Sequence, residues 1–281
     1  MTESHMSTRK KLIFVDIDGT IFMKDQGVSP ALAESFDRVR ANGHRLFLAT
    51  GRAWNSLPEE VMALEWDGII SSAGSDIHIY GKRVFQTSLD RALIREIVDV
   101  MKKIPGMIYM LEGFDRTFVG GSDSSLFWEK RSMPDWMKSL REEKNTRSLD
   151  VWSPEREEIP KVSFMVDSPE VIEQIRCEFG ELLHVVSYPI YQNPDIFYGE
   201  LISREADKGA GIVKATDWFG MDLADTIAFG DSMNDYSMIE RAGVGIAMGN
   251  ADPGLKEIAD HVCESVWDNG VLLELEQRGL A

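Results

Sequence analysis

Cysteine is almost absent: Cys177 and Cys263 are the only two in 281 residues, too few for a disulfide framework or a cysteine-based zinc site. No apolar run approaches the roughly 20 residues that a membrane-spanning helix needs. The polar start MTESHMSTRKK has no apolar stretch of the signal-peptide kind. These absences favour a reduced, cytoplasmic protein with no membrane partner. Positive charge is scarce too. Lys and Arg number 30 against 47 Asp and Glu, for a net charge of −17, which argues against nucleic acid as a partner. A chain this acidic can take an anionic ligand only where cations, a metal or backbone donors reverse the local field. The 5 histidines show no ligand spacing, so His44, His78, His184 and His261 are read as structural.

What is present begins with KLIFVDIDGTIF. An apolar run, Leu12 to Val15, leads straight into Asp16 and Asp18. Two carboxylates this close each disfavour the other's ionised form. Either a cation lies between them, or one carries a proton, or both states occur in turn. Downstream, SPALAESFDRVRANG reads as a helix started by Ser29 and Pro30 and stopped by Gly43. Leu46 to Ala49 is a second strand, residues 55 to 64 look helical, and DGIISSAG supplies a third strand. The same alternation returns near the end, in KGAGIVKATDWFG, TIAFGD, NDYSMIERAG, GVGIAM and NGVLLELEQRG. Alternating strands and helices predict an α/β fold, a doubly wound parallel-sheet, Rossmann-like core.

The core is expected over residues 9–88 and 204–281. Residues 89–203 have a different texture and read as an inserted, smaller α/β cap domain. Its aromatics, among them Tyr109, Trp128, Trp136, Tyr188 and Phe197, are expected to form the insert's own core rather than stack on a ligand.

Four elements fall at core strand ends or at a helix start, where ligands of open α/β sheets gather. They are Asp16-x-Asp18-Gly19-Thr20, then Thr50-Gly51-Arg52, then Lys208 opening a helix, then GDSMND with Asp231, Asn234 and Asp235. In this order DIDGT, LFLATGR, KGAGI and GDSMND resemble the four motifs of the haloacid dehalogenase superfamily of phosphohydrolases. The GDSMND form and the large α/β insert resemble its Cof-type branch. One departure stands out: relatives of that branch usually carry Asn-Gly after the third strand, where this chain has Ala73-Gly74.

The resemblance implies a Mg2+-dependent phosphatase acting on a small phosphorylated metabolite, a sugar phosphate above all. Asp16 would be the nucleophile that forms an aspartyl-phosphate. Asp18 would be the general acid and then the base. Asp16, Asp231 and the backbone carbonyl of Asp18 would hold the metal. Thr50, Gly51, Lys208 and Asn234 would bind the phosphate, with Asp235 orienting Lys208 or standing behind the metal ligands. Arg52 either reaches the substrate or pairs with a nearby acid. Two further readings stay open. A phosphosugar mutase of phosphomannomutase type would need cap cations such as Arg116, Arg131 and Arg147 for a second phosphate. A phosphate-binding module without catalysis would be expected to have lost one of the three aspartates. The oligomeric state is left undetermined, a monomer being sufficient for this chemistry.

Overall fold

The computed structural model describes residues 9–23, 25–121, 145–190 and 193–281. Trp128, Trp136 and Arg131 lie outside the described residues. The chain forms two compact units. One comprises the described residues up to Arg52 together with Leu57–Phe85 and Asp207–Ala281; the other comprises Ala53–Ser56 and Gln86–Ala206.

The first unit is built on eight strands: β1 (Leu12–Val15), β2 (Arg45–Ala49), β3 (Gly68–Ser71), β4 (Asp76–Ile79), β5 (Lys82–Gln86), β12 (Thr226–Gly230), β13 (Val244–Ala247) and β14 (His261–Val262). Their order is β14-β13-β12-β1-β2-β3-β4-β5. From β14 to β3 all pairs are parallel, and β4 turns back antiparallel to β3. The strands that read as uninterrupted apolar runs lie at the centre. Leu12, Ile13, Phe14 and Val15 are all fully buried, as a strand covered on both faces requires. This is the doubly wound α/β core that the alternation of elements predicts.

Helices cover the faces. Pro30 opens α1 (Pro30–Ala41), whose Phe36 and Val39 are buried. The expected helix over 55–64 is instead a short 3-10 turn at Trp54–Ser56 and a single turn, α2 (Glu59–Met62). Pro58 is the reason: it has no N–H to donate and steers Leu57 out of the helical region. The β4–β5 hairpin was not anticipated. Its two connecting residues, Tyr80 and Gly81, both have positive φ, 50° and 72°, which matches the twist of a tight hairpin.

The second unit carries β6 (Ile108–Glu112), β7 (Thr117–Gly120), β8 (Thr146–Ser148), β9 (Lys161–Val166), β10 (Leu183–Ile190) and β11 (Asn193–Ser203), ordered β10-β11-β9-β6-β7-β8. Helices α3 (Arg91–Met101) and α4 (Pro169–Phe179) cover one face. Ile97, Met101, Ile175 and Phe179 pack there with Tyr109 and Phe164, and Phe197 lies against the same cluster. Tyr188 borders a second cluster around Met110 and Met165. Tyr109, Tyr188 and Phe197 are therefore packing residues. Among the described residues no helix is long and apolar enough to cross a membrane.

One buried polar knot ties three strands of this sheet together. Lys161 on β9 is 2% exposed, and its Nζ lies 2.7 Å from Glu200 on β11 and 3.1 Å from Glu112 on β6. Burial alone would lower the lysine's pKa, but the two glutamates outweigh it and hold the value above the ordinary range. Removing the ammonium leaves the buried carboxylate of Glu200 and the part-buried one of Glu112 without a counter-charge. Lys161→Ala is expected to cost about 3–5 kcal/mol of stability, read as a lower urea midpoint at unchanged slope. A loss below about 1 kcal/mol would show the knot to be dispensable.

Candidate active site

β1 sits between β2 and β12, and all three run parallel, Val15 pairing with Leu48 on one side and Phe229 on the other. Their carboxyl ends therefore open at one edge of the sheet, the usual ligand edge of such folds. Asp16 follows β1, Thr50 follows β2 and Asp231 follows β12. The helix α5 (Lys208–Phe219) starts at the same place, capped by Asp207, whose carboxylate accepts from Ala210 N.

Lys208 joins these pieces. Its side chain is 1% exposed, and Nζ donates to Asp16 Oδ1 at 2.7 Å, Asp235 Oδ1 at 2.6 Å and Asn234 Oδ1 at 3.1 Å. All three ammonium hydrogens thus have acceptors. Asp235 is fully buried, and its second oxygen accepts from the backbone N–H groups of Asp231 and Ser232 at 3.0 and 3.1 Å. Both of its oxygens are committed to orienting Lys208 and the Asp231–Ser232 backbone. Asn234 Oδ1 also accepts from Ser232 Oγ, so the amide's remaining offer to an anion is its N–H2.

Arg52 pairs with an acid, one of the two alternatives left open by its position. Nε and Nη2 each lie 2.7 Å from an oxygen of Asp18, a fork-to-fork ion pair. Thr50 is 1% exposed, its Oγ1 accepting from Arg52 N at 3.1 Å, and Gly51 stands between them in the chain. After β3 the chain turns through Ser72 and Ala73 with φ of 49° and 53°, and Ala73 N donates to Thr50 O at 3.0 Å. Alanine there holds a left-handed conformation that asparagine adopts at lower cost. The Ala73 side chain is buried, at 4% exposure.

The sequence model of the haloacid dehalogenase-like hydrolase family matches residues 13–275. The chain belongs to that family. Two relatives in this group are 5-amino-6-(5-phospho-D-ribitylamino)uracil phosphatases of Bacillus subtilis. YitU is 26% identical over 97% of this chain and 98% of its own, and YwtE 28% identical over 95% and 97%. A haloalkanoate-superfamily phosphatase of known structure from Bacteroides thetaiotaomicron superposes with a TM-score of 0.79 at 22% identity, covering 100% of this chain and 99% of its own. That likeness establishes the shared fold.

Haloacid dehalogenase-like hydrolases generally use a metal ion, and the donors here suit one. Carboxylate oxygens of Asp16, Asp231 and Asp235 lie within 4.8 Å of one another. Asp235 is already committed, and the Asp18 carboxylate is held by Arg52, so Asp16 and Asp231 are the carboxylates available. Asp231 Oδ1 is buried with no hydrogen-bond partner among the described residues, an orphan acceptor that a cation would satisfy. Gly19, at φ 78°, passes so close to this aspartate that a Cβ would lie 2.2 Å from Asp231 Oδ2, so glycine is required there. The set is all oxygen, the kind a hard divalent cation takes. The sequence reading overlooked Asn250, which donates to Gly19 O at 2.8 Å. Its signal was the Gly-Asn-Ala-Asp turn directly after β13, at the same edge of the sheet.

Burial and the crowding of carboxylates push both aspartates upward. Asp16 rises from 3.8 to about 7, chiefly through burial and against the pull of Lys208, with Asp235 and Asp18 adding to the rise. Asp231 rises to about 9, chiefly through burial, then through Asp16 and Asp235. Between 3.8 and these raised values the folded metal-free protein holds more protons than the unfolded chain. Its stability therefore falls as pH rises through that window. A divalent cation bound by the two carboxylates reverses the sign by favouring their ionised forms. The expected result is a Tm increase on adding the cation that is larger near pH 9 than near pH 6. Asp231→Asn is expected to raise the metal-free Tm at the higher pH and to abolish the cation's effect. Equal cation shifts at both pH values, measured by thermal unfolding, would contradict this electrostatic account.

Proposed function

We propose that the protein is a Mg2+-dependent phosphatase that hydrolyses a small phosphorylated metabolite, a sugar or polyol phosphate, in the cytoplasm through an aspartyl-phosphate intermediate. The observation that carries this reading is the grip of Lys208 on Asp16 and Asp235, 2.7 and 2.6 Å from Nζ. It gathers a nucleophile, a buried cation and a potential metal pair at one strand edge. The phosphatases among the relatives support the reaction class. The ribitylamino compounds that name two of them support a phosphate ester on a polyhydroxyl chain as the substrate class.

In this reading Lys208 holds Asp16 Oδ1 and Oδ2 attacks phosphorus. The new O–P bond forms as the ester O–P bond breaks, and the leaving oxygen takes a proton from Asp18. Asp18 then accepts a proton from water, whose oxygen attacks the aspartyl-phosphate, releasing phosphate and restoring the Asp16 carboxylate. Thr50, Gly51, Lys208 and Asn234 bind the phosphate oxygens. The bond from Lys208 to Asn234, the longest of its three at 3.1 Å, is the one that an incoming phosphate oxygen displaces. Both Asp18 oxygens accept from Arg52, so the acid step requires that pair to open. A bound phosphate dianion competes for the guanidinium and supplies the means. Asp16, Asp231 and the Asp18 backbone carbonyl would hold Mg2+, which when bound neutralises charge between carboxylates and phosphate.

The test is phosphate release from a panel of sugar and polyol phosphates, nucleotides and small phosphorylated acids, with Mg2+ or with a chelator. Mg2+-dependent turnover that falls by at least about a thousandfold in Asp16→Asn is the expected result. Turnover that survives Asp16→Asn would overturn the nucleophile assignment. Transfer of phosphate between sugar monophosphates, without net release, would replace the phosphatase with a mutase.

A further inference from the structure

The turn that leaves β13 belongs to none of the motifs used above, yet it is bonded to both sides of the aspartate cluster. Asn250 Nδ2 donates to Gly19 O at 2.8 Å, and its Oδ1 accepts from Val266 N at 2.9 Å. The backbone of the same turn reaches the end of β12, with Met248 N donating to Gly230 O at 2.9 Å and Asp252 N to Asp231 O at 2.8 Å. Lys256 Nζ closes the turn on Gly249 O at 2.6 Å. Residues 248–252 thus brace two segments at once: the loop Asp16–Gly19, through a single side-chain amide, and the end of β12 at Asp231, through backbone bonds.

The two braced segments are in close contact. Gly19 has no room for even a Cβ beside Asp231 Oδ2, so the position of the Gly19 peptide, at the end of the loop that carries Asp16, limits where the Asp231 carboxylate can lie. Backbone bonds hold the Asp231 side of that gap. On the Gly19 side the loop's own hydrogen bonds close a local turn, Gly19 N to Phe22 O and Thr20 N to Ile17 O, and the bond from Asn250 ties that turn to β13.

We propose that Asn250 is a positioning residue that sets the spacing of the Asp16 and Asp231 carboxylates, and with it the affinity for a divalent cation. The inference rests on the metal-dependent reading of the site above. Small hard cations demand near-ideal ligand distances. Residues that orient metal ligands from behind change affinity by about 10- to 100-fold when removed.

The experiment measures Mn2+ binding to metal-stripped protein from the EPR signal of the free ion, with no substrate present, alongside the Tm of the metal-free protein. Asn250→Ala is expected to bind Mn2+ about 10- to 100-fold more weakly while its metal-free Tm stays within a few degrees of wild type. A folded Asn250→Ala with a Kd within about twofold of wild type would overturn the proposal. Should Asn250→Ala not fold, Asn250→Asp decides. It keeps an acceptor for Val266 N and loses the donor to Gly19 O, while its added negative charge favours the cation. Weaker Mn2+ binding in that variant therefore supports the positioning role, and equal or tighter binding overturns it. Wild-type protein that binds Mn2+ but releases no phosphate would sink the phosphatase reading and leave the role of Asn250 standing. Wild-type protein that binds no Mn2+ would overturn the role of Asn250.

Discussion

The structure of this site depends on one buried ammonium. Lys208 is 1% exposed and stands among Asp16, Asn234 and Asp235. Taking a charge out of water costs several kcal/mol unless partners and hydrogen bonds compensate it. Here two carboxylates and an amide oxygen do so, and the lysine in turn makes the burial of Asp16 and Asp235 tolerable. Burial pulls its pKa down, Asp16 and Asp235 push it up, and the carboxylates prevail. The arrangement links residues 16, 208 and 234–235 through one nitrogen, so the ends of β1 and β12 and the start of α5 are held in a common geometry.

Charge balance at this edge remains incomplete without a further cation. Asp16, Asp231 and Asp235 bring three carboxylates to a volume in which Lys208 supplies one positive charge. Arg52 is spent on Asp18. Burial first, and the neighbouring carboxylates after it, raise Asp16 and Asp231 above their ordinary range. The close approach of Gly19 and the orphan Asp231 Oδ1 locate the deficit between the nucleophile loop and the end of β12. A protein with a net charge of −17 can take an anionic ligand here only where cations, a metal or backbone donors reverse the local field.

Part of this was legible from residues alone. The apolar runs of β1 and β2 stop at Asp16 and Thr50 because a buried parallel strand tolerates few polar residues and its carboxyl end opens to ligand. The four motifs at these ends resemble those of the family whose sequence model matches residues 13–275. The helix expected over 55–64 failed because Pro58 interrupts a pattern that apolar spacing alone recommends. The β4–β5 hairpin was missed because its turn, Tyr80-Gly81, lacks the usual Asn-Gly or Asp-Gly pair. Asn250 was missed because its partner lies 231 residues away in the chain, and the Gly-Asn-Ala-Asp sequence after β13 marks a turn without showing what that turn binds.

By itself the sequence determined the α/β class and the aspartates and lysine at strand and helix ends, since each follows from local pattern and spacing; the family came from the likeness of its motifs to those of known hydrolases. Tertiary structure decided which partner each charged group takes. Arg52, given two readings from its position, has its guanidinium 2.7 Å from both oxygens of Asp18. Asp235, expected to orient Lys208 or to stand behind the metal ligands, has one oxygen on Lys208 Nζ and the other on the backbone N–H groups of Asp231 and Ser232. Ala73 proved to be a backbone tie to Thr50. Those outcomes rest on distances of a few ångströms between residues far apart in the chain, where hydrogen-bond geometry and burial, not composition, set the energy.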